Sequence, residues 1–453
     1  MLFRPIRFFA TLTALLPLSN VPTLFAGDGA RWAGTWAAAA QPFMPGTLET
    51  YDQQTLRLIV HTSVAGSRVR VTLSNVYGEV PLSLANAHVA IRTVGPTIDP
   101  SSDRVLRFQG QTTVTLAPHA EVTSDAVSLE VPALSDLAVS FFVPHKVDAT
   151  TSHLLALQTS YVASGNFSSA VELPVLKTID TWPFLVGIEI SAQTQPSAIA
   201  VVGSSTTDGD GSTQDQNRRW PDVLAKRLQQ AGGAAAHIGV LNLGIIGNRL
   251  LQDSPQTINP KLYGSKVSTY WRPHSDQGAA ASGESPFGLG LGESVLKRFD
   301  RDVLSRPGIK YLILCIGVND IVFPGSFTPP DEAVTARSVI QGHRQLIARA
   351  HKAGIRVFVT TIAPFENAIY QSDKTLVIYT PAKEAIRQEV NHWIRTSKEF
   401  DGMIDFDVVL RDPARPTRLL ERFDSGDHVH STDAGYAAAA DAVPLTLFTA
   451  PQR

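Results

Sequence analysis

The apolar period of this chain changes near Ser197, and no single sheet architecture accommodates both patterns. Before Ser197, from about Gly34 to Gln195, short stretches alternate with period two. In "TLRLIVHTS" Leu56, Leu58 and Val60 alternate with Arg57, Ile59 and His61. In "SRVRVTLSN" Val69, Val71 and Leu73 alternate with Arg68, Arg70 and Thr72, and "LAVSFFVP" repeats the pattern with Leu137, Val139, Phe141 and Val143. Gly, Pro, Ser and Asn separate these runs, and no long helical pattern intervenes, so an antiparallel β-sandwich is expected over 34–195. After Ser197 the apolar runs Ile199–Val202, Ile238–Leu243, Tyr311–Ile316 and Ile355–Thr360 are separated by helix-like segments. These are Trp220–Ala231, Glu293–Leu304, Ala333–Ala353 and Pro381–Ser397. Strand–helix alternation implies a parallel sheet covered on both faces, here over 197–450. Ligands of such sheets bind outside the carboxyl ends of the strands.

The 453 residues exceed what one ordinary core organises, which agrees with two domains. Apolar residues at 43% and charged residues at 18% describe a globular chain. A net charge of -2, with no Lys/Arg run, gives no footprint for nucleic acid. The single cysteine, Cys315, sits inside an apolar run, so no intrachain disulfide can form and a large core must stabilise the fold.

Residues 1–26 have the pattern of an export signal. Arg4 and Arg7 precede an apolar stretch from Phe8 to Leu18, and Ala26 lies at a plausible cleavage point, although Leu24 stands where a small residue is preferred. The stretch is shorter than the ~20 residues of a spanning helix, and Pro17 and Pro22 interrupt it. Secretion or a periplasmic location is therefore expected, without stable membrane insertion. Cleavage would remove two Arg and no acid, leaving 37 basic against 41 acidic side chains.

Four short stretches carry candidate chemistry: "GSSTTDG" from Gly203, "NLGIIGNRLL" from Asn242, "IGVND" from Ile316 and "DSGDHVHSTDAGY" from Asp424. The first three follow expected strands, at Gly203–Gly209, Gly244–Asn248 and Gly317–Asp320, so the topology gathers them on one rim. Acyl transfer by a hydroxyl needs a nucleophile, a base, an orienting acid and donors for an oxyanion. Ser205 lies between strand and helix, where its own amide and the helix start behind it can face a developing anion. Gly247 offers an unobstructed amide, and Asn319 offers a side-chain N–H₂. Asp427 and His430, three apart, allow a carboxylate to fix an imidazole whose other nitrogen faces Ser205. Singly, these residues are ordinary turn, cap or surface residues. Their order and their placement at strand ends give them weight together.

In these four stretches the chain resembles the SGNH, or GDSL, hydrolases over about Ala198 to Val443. The resemblance implies a flavodoxin-like three-layer α/β domain and carboxylic ester hydrolysis. Position by position, Ser205 resembles the family's nucleophile, Ser205, Gly247 and Asn319 its oxyanion donors, and Asp427 and His430 its acid and base. No cofactor and no metal are implied. The family's usual Gly-Asp-Ser is replaced by Gly203-Ser204-Ser205, so choosing Ser205 over Ser204 depends on register, which the following Thr206-Thr207-Asp208-Gly209 favours. His428 is an alternative base, less favoured because the Asp-x-x-His spacing selects His430.

The preceding sandwich, expected to be jelly-roll-like, resembles that of secreted members associated with acylated plant polysaccharides, which directs the substrate expectation to ester-decorated carbohydrate. Fatty or aromatic acyl esters are the alternative. A metal hydrolase using Asp427, His428 and His430 and an inactive binding module rank lower. A long insert at about Ser254–Leu291 carries Tyr263, Tyr270, Trp271, His274 and Phe287, and following Gly247 it is expected near the catalytic rim.

Overall fold

A computed structural model describes residues 31–44, 48–192, 196–255, 288–370 and 376–449. The export-signal pattern and the aromatic residues of the insert lie outside these residues.

The first half is built on two large antiparallel sheets, beside a two-stranded pair of Thr50–Tyr51 with Val147–Asp148. One runs Trp32–Ala37, Leu185–Ser191, Gly66–Ser74 and Glu121–Thr123, with Val127–Val131 also on Gly66–Ser74. The other runs Lys177–Ile179, Ser160–Ser164, Gln54–His61, Asp136–Val143, Leu82–Ile91 and Arg104–Val105, with Thr113–Leu116 added to Leu82–Ile91. The alternating sets Leu56/Leu58/Val60 and Val69/Val71/Leu73 come from different sheets and meet in one buried cluster. Burying an Ile, Leu or Val side chain contributes about 1.5–3 kcal/mol, which is how a fold whose only cysteine is free holds together.

The opposite face of the Gln54–His61 strand is less wet than its alternation suggests. Arg57 is fully buried. Its guanidinium donates to Ser140 Oγ at 2.8 Å and to the carbonyls of Pro96 at 2.6 Å and Ala170 at 2.7 Å. Ile59, Ile98, Tyr161 and Leu173 form a small cluster on the same side. Period two shows that two faces differ; it does not show that the polar one is solvated. A guanidinium satisfied by carbonyls is a permissible interior group.

The second half carries a five-stranded parallel sheet in the order Ile238–Gly244, Ser197–Gly203, Ile309–Cys315, Arg356–Thr360, Gly402–Ile404. Every residue of Ser197–Gly203 is buried, as expected of a parallel strand covered on both faces. Numbered within this half, the order is 2-1-3-4-5, which puts the switch point between the first and third strands. Helices form at Trp220–Ala231, Ala336–Lys352 and Pro381–Thr396. The segment expected as one helix over Glu293–Leu304 is a short α-helix, Val295–Phe299, continued by a π-turn, Asp300–Leu304. In that wider turn Asp302 is placed between Arg298 and Arg301. The fifth strand, Gly402–Ile404, has too few residues to show a period.

The two halves meet along the edge of the parallel sheet. The Val240 amide donates to Ser63 Oγ at 2.9 Å, and the backbones of Gly34 and Gly239 approach so closely that a Cβ on Gly239 would lie 2.2 Å from Gly34 O. Ala37, Ala39 and Met44 belong to the same buried cluster as Ala198, Ala200 and Leu241. The edge that would otherwise invite another strand is thus covered, and the described residues from Arg31 onward form one compact unit.

Candidate active site

Strand register creates the site. Gly203 is paired with Gly244 on one side and Cys315 on the other, so the three strands end together and their loops emerge side by side. Glycine is required at this turn: a Cβ on Gly203 would sit 2.1 Å from Thr207 Oγ1, and one on Gly244 would sit 2.4 Å from the Asp208 amide.

Ser204 caps a single helical turn, Ser205–Asp208, which Gly209 ends in the left-handed region at φ +109°. The dipole expected behind Ser205 is therefore that of one turn, because the next helix starts only at Trp220. The Ser205 amide, at the first helical position, has no intrahelical acceptor. Register resolves between the two serines. Ser205 Oγ lies 2.7 Å from His430 Nε2, whereas Ser204 Oγ is buried with no hydrogen-bond partner among the described residues.

His430 Nδ1 donates to Asp427 Oδ2 at 2.5 Å. Asp427 Oδ1 accepts from the amides of Val429 and His430, both at 2.9 Å, and from Ser425 Oγ at 3.1 Å. Burial alone would raise the Asp427 pKa; these donors and the imidazole outweigh it and hold the carboxyl well below the usual carboxylate range. His430 has a second acidic neighbour, Asp210, whose Oδ2 is 3.6 Å from Nε2. Burial disfavours the imidazolium, but the charge of Asp210 and the bond to Asp427 prevail and push the His430 pKa up to about 9.

His428 is engaged elsewhere. Its Nδ1 bonds Asp424 Oδ2, and its amide bonds Asp424 Oδ1 at 3.0 Å. The loop thus holds two separate His–carboxylate pairs, Asp427–His430 and Asp424–His428. Among the described residues no group of three His, Cys, Asp or Glu side chains is placed to hold a metal ion, and no helix is long and apolar enough to cross a membrane.

Gly247 sits in the left-handed region at φ +69°, which points its amide in a direction that residues with a Cβ rarely reach. Its loop is fixed from several sides. The Ile246 amide donates to Asp208 Oδ2 at 2.9 Å, and Asn319 Nδ2 donates to the Asn248 carbonyl at 2.9 Å, leaving its second N–H free of that bond. The amides of Leu250 and Leu251 donate to Asp320, at 2.8 and 2.9 Å. Burial pushes the Asp320 pKa up to about 6. Buried Arg298 bonds Asn248 Oδ1 and the Leu243 carbonyl.

The base of the insert closes on this loop. The Ser254 amide donates to Gly292 O and its hydroxyl to Gly288 O, each at 2.8 Å, and Leu291 occupies the space a Cβ on Gly247 would need. Residues 256–287 lie outside the described residues.

The structure therefore brings Ser205, His430 and Asp427 into one chain of contacts, with the Gly247 loop bonded to Asn319. Sequence reasoning missed Asp208, Asp210, Asp320 and Arg298 as members of this assembly. The first three stand inside or next to the quoted motifs, but nothing in spacing distinguishes a carboxylate that accepts loop amides from one facing solvent.

A model of the GDSL-like lipase/acylhydrolase family matches residues 199–443, more than half of the chain. The chain belongs to this family, and it is a carboxylic ester hydrolase. No curated protein matches it in sequence. Similar solved structures include the aryl esterase of M. smegmatis, at 15% identity and TM-score 0.36, covering 54% of this chain and 95% of that one. A GDSL-like lipase from Bacteroides thetaiotaomicron has 14% identity and TM-score 0.34, with 56% and 89% covered. An acetyl xylan esterase has 19% identity and TM-score 0.33, with 54% and 96% covered.

Proposed function

We propose that this chain is an exported serine esterase that removes acetyl or similar acyl groups from ester-decorated carbohydrate. The observation that carries the mechanism is the 2.7 Å contact of Ser205 Oγ with His430 Nε2, with Asp427 behind the ring. Neutral His430 accepts the Ser205 proton as Oγ bonds to the ester carbonyl carbon. The carbonyl oxygen becomes an anion facing the amides of Ser205 and Gly247 and the Asn319 side chain. As the carbonyl re-forms, the ester C–O bond breaks, and His430 gives its proton to the departing alcohol. Water then repeats the sequence on the acyl-enzyme, releasing the acid and restoring Ser205. Asp427 holds the ring orientation and stabilises the imidazolium that forms in each half.

The carbohydrate assignment draws on the antiparallel half, read as a jelly-roll-like sandwich joined to a flavodoxin-like three-layer domain. Export draws on the Arg4/Arg7 and Phe8–Leu18 pattern. A second reading, hydrolysis of fatty or aromatic acyl esters, is favoured by a mostly apolar cavity. It is lined by Thr206, Val318, Val429 and Ser431, each adjacent in sequence to a candidate site residue, and by Phe365 and Phe406.

Hydrolysis rates across p-nitrophenyl esters of rising chain length, measured beside an acetylated oligosaccharide, separate the two. The first reading expects the acetyl esters to be fastest, with release of acetate from the oligosaccharide. An optimum at long or aromatic acyl groups, with no acetate released, overturns it in favour of the second.

A further inference from the structure

The loop that follows Ser205 is tied to the antiparallel half at every few residues. Asp215 accepts from the Thr159 amide and from Thr159 Oγ1, each at 2.6 Å, and the Asp215 amide donates to Leu157 O at 3.0 Å. The same loop reaches the histidine segment, because Asp433 accepts from the Thr213 amide and hydroxyl and from Arg218. His153 also lies in this contact and is almost fully buried. Its ring stacks on Trp182 with centroids 5.5 Å apart.

Both ring nitrogens of His153 face acceptors. Nδ1 is 3.0 Å from the Ala39 carbonyl and Nε2 is 2.9 Å from Asp208 Oδ1. A carbonyl can only accept, and so can an ionised carboxylate, so this geometry suits a ring carrying both protons. The other oxygen of Asp208 accepts from the Ile246 amide, one residue before Gly247. Asp208 ends the turn that Ser205 begins. One buried carboxylate thus touches the nucleophile's turn and the oxyanion loop, and its charge is matched by a histidine from the other half of the molecule.

We propose that His153 is a positioning residue for acyl transfer: bonded to Asp208, it holds the Ile246–Gly247 loop where the oxyanion forms. The inference rests on the Ser205 reading given above. Burial disfavours the imidazolium, but the Asp208 charge and bond and the Ala39 carbonyl raise the His153 pKa, while Arg219 opposes them. Arg219 is itself paired with Asp222 at 2.8 Å, and His61, on the same small cavity, is paired with Asp136 at 2.7 Å. The antiparallel half accordingly supplies part of the working site, although among the described residues none of its side chains hydrogen-bonds to Ser205, His430 or Asp427.

The test compares the full chain with His153→Ala and His153→Gln. Misplacement of about 1 Å in a site can cost about a hundredfold in rate. His153→Ala is therefore expected to lower kcat on p-nitrophenyl acetate about a hundredfold with KM within about twofold, and His153→Gln, which keeps one donor, to recover part of the loss. A phenylboronic acid inhibitor, whose tetrahedral adduct on Ser205 draws on the same donors, is expected to lose affinity in parallel with kcat. Folded His153→Ala or, if that variant fails to fold, folded His153→Gln with wild-type kcat overturns the proposal. So does a fall in kcat with unchanged boronate affinity. Ser205→Ala in the same assay keeps the two questions apart: activity surviving there overturns the nucleophile reading, whatever His153 does.

Discussion

Asp210 Oδ2 lies 3.6 Å from His430 Nε2, the same nitrogen that meets Ser205 Oγ. On the proposed mechanism His430 must be neutral to take the Ser205 proton, yet its ring is held between two carboxylates, Asp210 and Asp427. With the His430 pKa pushed up to about 9, kcat/KM is expected to fall as pH drops below that value, because the neutral fraction shrinks. Asp210→Asn removes one of the two charges, so the rising limb should move to lower pH and activity near pH 7 should increase. The sign for stability is opposite. A folded-state pKa raised above the ordinary 6.5 contributes stability that is complete below about pH 6.5 and is lost as pH rises through about 9. A pH–rate profile of the two proteins checks the shift; superimposable profiles would contradict it.

Asn319→Ala should reduce kcat by about a hundredfold or more, the usual effect of losing one oxyanion donor. Asn319 also bonds the Asn248 carbonyl, so a small loss of Tm is expected beside it. Circular dichroism and steady-state kinetics on one preparation separate the two effects. An unchanged kcat removes Asn319 from the oxyanion site.

Gly247→Ala should cost about 1–2 kcal/mol, because its φ of +69° lies in the left-handed region. The new Cβ must also displace Leu291, whose terminal carbons would be 2.8 Å away. Relaxing either strain moves the loop that carries the amide, so activity should fall more than stability does. Denaturant unfolding and kcat/KM measured together test that order.

Chelation discriminates against the metal alternative. The loop carries two separate His–carboxylate pairs, Asp427–His430 and Asp424–His428. Prolonged EDTA treatment followed by gel filtration should leave full esterase activity, and a loss restored by zinc would contradict the Ser205 mechanism.

What the sequence disclosed depended on how local the signal was. The period change near Ser197 separates an antiparallel half from a parallel one, and the strand-end motifs meet on one rim because Gly203, Gly244 and Cys315 are in register. Ser205 and Ser204 were distinguishable only by motif register, until the side chains showed which one faces His430. The buried side of Arg57 was not legible, since its cover comes from residues more than thirty positions away. The Asp208–His153 bond joins residues 55 apart on opposite halves, a relationship that no periodicity or spacing encodes. The three-residue strand Gly402–Ile404 was missed because its pairing to Arg356–Thr360, not its composition, makes it a strand.

On the proposed mechanism, Ser205 is the hydroxyl that His430 activates. Labelling the full chain with a fluorophosphonate and mapping the adduct by peptide mass spectrometry tests it directly. The adduct should fall on Ser205, appear with the loss of esterase activity, and be absent from His430→Ala. An adduct on Ser204, or inactivation with Ser205 unmodified, would contradict the account.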